Sequence, residues 1–158
     1  MKKNLVFICL LILGTLVSCQ SASSKKDADN TATNDVKAPV PLGDPFIMLY
    51  DGVYYAYGTH SGEGIEVYTS DDLLTWKYKG IALNKKDSWA DRWFWAPEVY
   101  AVNGKFYMYY SADEHICVAI ADSPAGPFVQ EKKEPMITDE KCIDNSLFID
   151  DDGTPYLT

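Results

Sequence analysis

After residue 44 the chain reads as short apolar and aromatic runs cut by tight-turn dipeptides. Four such runs come first: Phe46–Tyr50, Val53–Gly58, Ile65–Thr69 and Trp76–Ile81. Asp51-Gly52 separates the first two, and Asn103-Gly104 separates a later pair. Gly after Asp or Asn accepts φ > 0, which a two-residue hairpin turn demands. No stretch after residue 44 sustains a 3.6-residue apolar period with caps, so strands rather than helices are expected.

The runs repeat. Tyr50-Asp51-Gly52-Val53-Tyr54-Tyr55-Ala56-Tyr57 returns as Val102-Asn103-Gly104-Lys105-Phe106-Tyr107-Met108-Tyr109, and a third copy begins at Asp151-Asp152-Gly153-Thr154-Pro155-Tyr156-Leu157. The glycines are 52 and then 49 residues apart. Val67-Tyr68-Thr69-Ser70-Asp71 with Trp76 is matched by Val118-Ala119-Ile120-Ala121-Asp122 with Phe128, at offsets of 51 and 52. Four short strands in a unit of ~50 residues are the pattern of a β-propeller blade. Residues 43–158 hold about two and a third such units, whereas propellers close at about four or more. The expectation is therefore an all-β fold, the N-terminal blades of a longer propeller, inactive and poorly stable if expressed alone.

The remainder of the chain has a different grain. Met1-Lys2-Lys3 precedes an apolar run, Leu5 to Val17, too short to cross a bilayer of ~30 Å as a helix. It closes with Leu16-Val17-Ser18-Cys19, which resembles a bacterial lipoprotein box. Residues 1–18 are thus expected to be a removed signal peptide and Cys19 to carry lipid, tethering an exported protein to a bacterial membrane. Gln20 to Pro41 contains no aromatic residue and is rich in small polar ones. Such a segment cannot bury enough apolar surface to offset its ordering entropy, so 19–41 reads as a flexible tether.

Charge narrows the partners. There are 23 acidic against 14 basic residues, a net of −9, and the one arginine is Arg92. That excludes a nucleic-acid binder, whose affinity rests on neutralising phosphates, and a polybasic membrane-surface protein. Beyond Cys9 and Cys19 the chain has only Cys117 and Cys142. Their pairing stays open, with a buried thiol at Cys117 as the alternative to a disulfide. No Cys/His spacing marks a zinc site, and no metal ligand set is assigned.

In a propeller the inner strands line the central channel, so their starts share one mouth. Those starts are Gly43-Asp44-Pro45-Phe46, Trp95-Ala96-Pro97-Glu98 and Ile143-Asp144-Asn145-Ser146-Leu147. Asp44 and Asp144, 100 residues apart in the chain, are thereby expected at one cavity, an arrangement suited to carboxylate chemistry on a glycosidic bond. Glu98 is a candidate for holding sugar hydroxyls or Asp44. In the cluster Trp89, Trp93, Phe94 and Trp95, the last is the candidate sugar-stacking face. His60 and His115 read as turn or surface residues. Asp150-Asp151-Asp152-Gly153 reads as a tight turn, because it lacks the alternating ligands and distal glutamate of a calcium loop.

Three segments, 43–59, Trp95-Ala96-Pro97-Glu98-Val99 and 143–153, together resemble glycoside hydrolase family 43. The resemblance implies a five-bladed propeller and, in most members, inverting hydrolysis of arabinose-, xylose- or galactose-containing polymers. It implies Asp44 as the general base and Asp144 as the acid that orients the proton donor and tunes its pKa. A third residue, a glutamate general acid of a later blade, has no counterpart in these 158 residues. No cofactor is required, and a structural cation in the complete propeller is not indicated by these residues. Asn145 departs from the proline common in the family after this aspartate. The reading from a different class is a glycan-binding surface lipoprotein that keeps the propeller without catalysis; retention of both aspartates favours the enzyme.

Overall fold

The computed structural model describes residues 35–158. The expected signal peptide, Cys19 and the tether up to residue 34 lie outside the described residues. The described part is ten strands and a single 3-10 turn, Lys85–Asp87.

The first sheet takes β1 (Asp35–Lys37), β2 (Gly43–Tyr50), β3 (Val53–Thr59), β4 (Gly64–Ser70) and β5 (Thr75–Asn84), in the order β1-β5-β4-β3-β2. The second takes β6 (Trp95–Val102), β7 (Lys105–Ala112) and β8 (His115–Ala121). A hairpin of β9 (Leu147–Ile149) and β10 (Pro155–Leu157) follows. All named neighbours pair antiparallel. These are two propeller blades and the inner hairpin of a third, and the four strands expected in the first blade are all present.

The repeat is also a repeat of backbone. Asp51 and Asn103 have φ of 48° and 51°, and Gly52 and Gly104 follow at 76° and 77°. Both central residues being left-handed makes each a turn whose twist matches that of its flanking strands. The third copy is built differently. Five residues separate β9 from β10, Gly153 N donates to the Asp150 carbonyl at 2.8 Å, and Thr154 N donates to Asp152 Oδ1 at 2.8 Å. The longer turn adds one residue to the spacing, which still shortens from 52 to 49 because the equivalent inner-strand positions Asp44 and Ala96 are 52 residues apart and Ala96 and Asp144 only 48.

One expected boundary is corrected. Residues 35–41, read as the end of the tether, belong to the fold: β1 pairs with β5 through Asp35↔Lys77, Val36↔Trp76 and Lys37↔Thr75. Val36, Val40 and Leu42 pack on buried Ala56, Tyr68 and Trp76. Three aliphatic side chains within a polar composition are enough to cover this part of the face, because the sheet presents an apolar surface to receive them. The main core lies between the blades, with Tyr57, Ile65, Val67 and Leu83 of the first against Val99, Phe106, Met108 and Tyr110 of the second. Tyr57 Oη donates across this seam to the Pro124 carbonyl at 2.6 Å.

The second blade lacks a full fourth strand. Its outer segment touches β8 by one antiparallel bridge, Ile120↔Val129, and the first blade by one parallel bridge, Leu83↔Phe128. Buried Gln130 holds it in place. Its Oε1 accepts from Trp89 N at 2.7 Å and Tyr110 Oη at 2.9 Å, and its Nε2 donates to the Glu134 carbonyl at 2.6 Å.

Candidate active site

Each inner strand starts with a kink. The β2–β3 register slips between Gly43 and Phe46, and the β6–β7 register slips between Trp95 and Glu98. Inside those bulges Asp44 (φ 44°) and Ala96 (φ 42°) occupy the same left-handed position, and Asp144 (φ 61°) repeats it before β9. Aspartate tolerates this region better than most residues. Bulges redirect side chains where strands meet a site. Here they bring Asp44, Ala96, Glu98, Asp144, Asn145 and Ser146 around one cleft of about 240 Å³.

Asp44 and Asp144 are both exposed at that cleft. Asp144 is anchored from behind, since its backbone N donates to Ser111 Oγ at 3.2 Å and Ser111 is fully buried on β7. Glu98 stands where the first blade has Phe46, on the face turned to the next blade. Its carboxylate accepts from Tyr100 Oη and, at 3.3 Å, from Leu147 N. Burial and the hydrogen bond to Glu98 push the Tyr100 phenol up to about 12. Glu98 therefore ties the second inner strand to the third, three residues beyond Asp144, and its hydrogen-bonded partners are protein groups.

Asn145 is 3% exposed, and among the described residues neither of its side-chain polar atoms has a hydrogen-bond partner. Trp95 is half-buried and opens on an adjoining cleft of about 450 Å³, not on the one holding the aspartates. Three of the expected site residues, Asp44, Glu98 and Asp144, thus converge, and Trp95 stands beside them. Among the described residues no group of three His, Cys, Asp or Glu side chains converges on metal-binding geometry.

Sequence reasoning missed Ser111 and Tyr100. The repeat carried a signal for Ser111: it falls 52 residues after Thr59, whose Oγ1 donates to the Gly43 carbonyl at 3.4 Å. A hydroxyl closing the second strand of each blade supports an inner-strand start in both cases. Cys117 and Cys142 are free thiols, and burial pushes the Cys117 thiol up to about 11.

Blades of this kind, with carboxylates rising from bulged inner strands into a shared cleft, define part of a β-propeller. The chain belongs to glycoside hydrolase family 43: residues 36–158 match Glycosyl hydrolases family 43. It is 32% identical over 139 residues to a xylosidase/arabinosidase of Bacteroides ovatus, covering 73% of this chain and 42% of that protein. A crystal structure of an endo-1,4-beta-xylanase from Bacteroides thetaiotaomicron superposes with a TM-score of 0.73 at 53% identity, covering 80% of this chain and 44% of the other. An endo-arabinase of the same organism gives 0.68 at 34% identity, covering 75% and 45%. The chain thus spans less than half the length of these relatives.

Proposed function

We propose that the protein is a glycoside hydrolase that cleaves arabinose-, xylose- or galactose-containing polysaccharides or oligosaccharides by a single displacement. The observation that carries this reading is the convergence of Asp44 and Asp144 on one cleft. Asp44, exposed on a left-handed kink, takes a proton from water as that water attacks the anomeric carbon from the face opposite the leaving group. Asp144, fixed through Ser111, orients the proton donor and tunes its pKa. Glu98 is engaged by Tyr100 and Leu147, so the donor is a carboxyl from another part of the propeller, as the family resemblance implies. An inverting pair stands about 6.5–9.5 Å apart to admit the water. We further propose an exported protein held to a bacterial membrane through lipid on Cys19, a reading supported by the Leu16-Val17-Ser18-Cys19 box.

The test is hydrolysis of aryl arabinoside, xyloside and galactoside substrates by the intact protein. Asp44→Asn is expected to lower kcat by at least ~10²-fold with little change in KM. A product that keeps its anomeric configuration by NMR would refute the role of Asp44. Binding without hydrolysis of any such glycoside would favour the glycan-binding reading. Cys19→Ala is expected to move the protein from the membrane fraction to the soluble one.

A further inference from the structure

One side chain of the second blade touches the strands of both aspartates. The Tyr100 ring packs against Phe46, with centroids 5.8 Å apart and planes tilted by 46°, and Phe46 follows Asp44 by two residues. At its far end the Tyr100 hydroxyl donates to Glu98 and accepts from Leu147 N at 3.3 Å. Leu147 follows Asp144 by three residues. Tyr100 thus stands between the start of β2 and the start of β9, and Glu98, which lines the cleft of the two aspartates, holds its hydroxyl.

The other ties of the two aspartates do not relate one to the other. Gly43 pairs with Thr59 inside the first blade, and Asp144 N donates to Ser111 Oγ of the second. Both aspartates sit on left-handed backbone, so where each carboxyl points depends on how the strand beyond the kink is held. Beyond both kinks that hold includes Tyr100. Packing alone does not call for a tyrosine there. Met48 has the same place in the first blade, 52 residues earlier, and packs on the core with no hydroxyl. Tyrosine supplies what methionine lacks, a stiff ring with two side-chain torsions and a polar tip. With its pKa pushed up to about 12 by burial and the Glu98 bond, the phenol keeps its proton, and its grip on Glu98, at neutral and acid pH.

We propose that Tyr100 is a positioning residue for the hydrolysis: its ring against Phe46 and its hydroxyl against Leu147 and Glu98 fix the separation of Asp44 from Asp144. The role rests on the catalytic reading above. A misplacement of about 1 Å in such a site is enough to cost ~10²-fold in rate.

The test uses the intact protein and two variants. Tyr100→Phe keeps the ring on Phe46 and removes the hydroxyl, whereas Tyr100→Leu removes both. On aryl glycosides kcat is expected to fall ~10-fold in the first and at least ~10²-fold in the second, with KM within ~2-fold of the parent in both. A structural loss would act alike in any background, so the decisive measurement is a cycle with Asp144→Asn. There Tyr100→Phe should lower kcat by less than ~2-fold, because the acid it places no longer acts. The full ~10-fold loss in that background would overturn the proposal, as would a kcat in Tyr100→Phe within ~2-fold of the parent. Crystal structures of the parent and both variants give a readout free of activity. The separation of the Asp44 and Asp144 carboxyls is expected to change by about 1 Å in Tyr100→Leu, and in the same direction by less in Tyr100→Phe. An unchanged separation in both overturns the proposal. Should Tyr100→Leu fail to fold, Tyr100→Phe decides by itself. Hydrolysis that is lost in Asp44→Asn but indifferent to Tyr100 would overturn the positioning role alone. A changed separation in a protein that hydrolyses no glycoside would uphold that role for the two carboxyls and overturn the catalytic reading.

Discussion

Ile47 and Val99 occupy the same place in consecutive blades, 52 residues apart, yet one is 47% exposed and the other 1%. Both lie on the face turned toward the preceding blade. For Val99 that neighbour is the first blade itself, and Tyr50 closes edge-on over Phe106 at 4.9 Å beside it. Among the described residues the neighbour of Ile47 is the segment 36–42, which covers Ala56, Tyr68 and Trp76 and leaves Ile47 and Leu49 uncovered. The two strands carry nearly the same apolar pattern and differ in what lies against it. A blade is thus a unit with two apolar faces, and its stability resides in its seams as much as in its ladders.

Charging the two positions gives the largest expected contrast. Val99→Asp places an unpaired carboxylate in the seam and is expected to cost more than ~4 kcal/mol or to abolish folding. Ile47→Asp in the same protein should change stability by no more than ~0.5 kcal/mol if that face is open to water. Urea denaturation of the pair reads both. A severe loss in Ile47→Asp would mean that something covers this face, and the comparison would then become one between two seams.

The outer edges of the blades differ as well. The first blade closes on the ten-residue β5, laddered along its length, whereas the second relies on two isolated bridges and on Gln130. Gln130→Leu removes the partners of Trp89 N and the Glu134 carbonyl while sparing Tyr110, whose hydroxyl also meets Ser88 Oγ at 2.8 Å. About 2–4 kcal/mol of destabilisation is expected from the two stranded groups. A loss below ~1 kcal/mol would show that the bridges suffice and that the second blade closes like the first.

The third inner strand offers the reverse case, an enclosed polar group that no described residue pairs. Asn145→Leu, similar in size, should leave stability unchanged or raise it by up to ~1 kcal/mol, because the orphaned amide costs free energy where it stands. A clear loss in a thermal melt would reveal a partner for the amide.

Strands, turns and the meeting of Asp44 with Asp144 were legible because each repeats, and the repeat converts distance along the chain into position around an axis. What escaped the sequence lies where the copies diverge. β1 hides in polar composition, and its reason for ordering is the apolar face it meets. Glu98 stays open in the sequence between a sugar ligand, a partner of Asp44 and a structural pair, and nothing there says that Leu147 N will stand opposite it. Gln130 replaces a laddered strand by one buried side chain, which no periodicity records.

The smallest contrast is at the outer corners. In the first blade Asp72 Oδ1 accepts from Leu74 N and Thr75 N, both at 2.8 Å, and from Ser70 Oγ at 3.0 Å. In the second blade the equivalent corner is held by Ser123 Oγ, which accepts from Ala125 N at 3.3 Å. Hydrogen bonds from the Thr75 and Leu74 amides hold the Asp72 carboxyl below its ordinary pKa. A carboxyl more acidic in the folded than in the unfolded chain contributes its stabilisation above the unfolded value, about 4, and loses it as pH falls through the folded one. The first corner should therefore loosen in acid and the second should not. The difference in melting temperature between the native protein and Asp72→Asn is expected to be constant from pH 7 to about 5 and to shrink below about 4. The corresponding difference for Ser123→Ala should stay flat over the whole range, because no proton is exchanged there. Subtracting each variant from the parent cancels the acid response of the other carboxylates. Parallel behaviour of the two corners would mean that charge on Asp72 plays no part in its turn, and that the blades differ only in their faces.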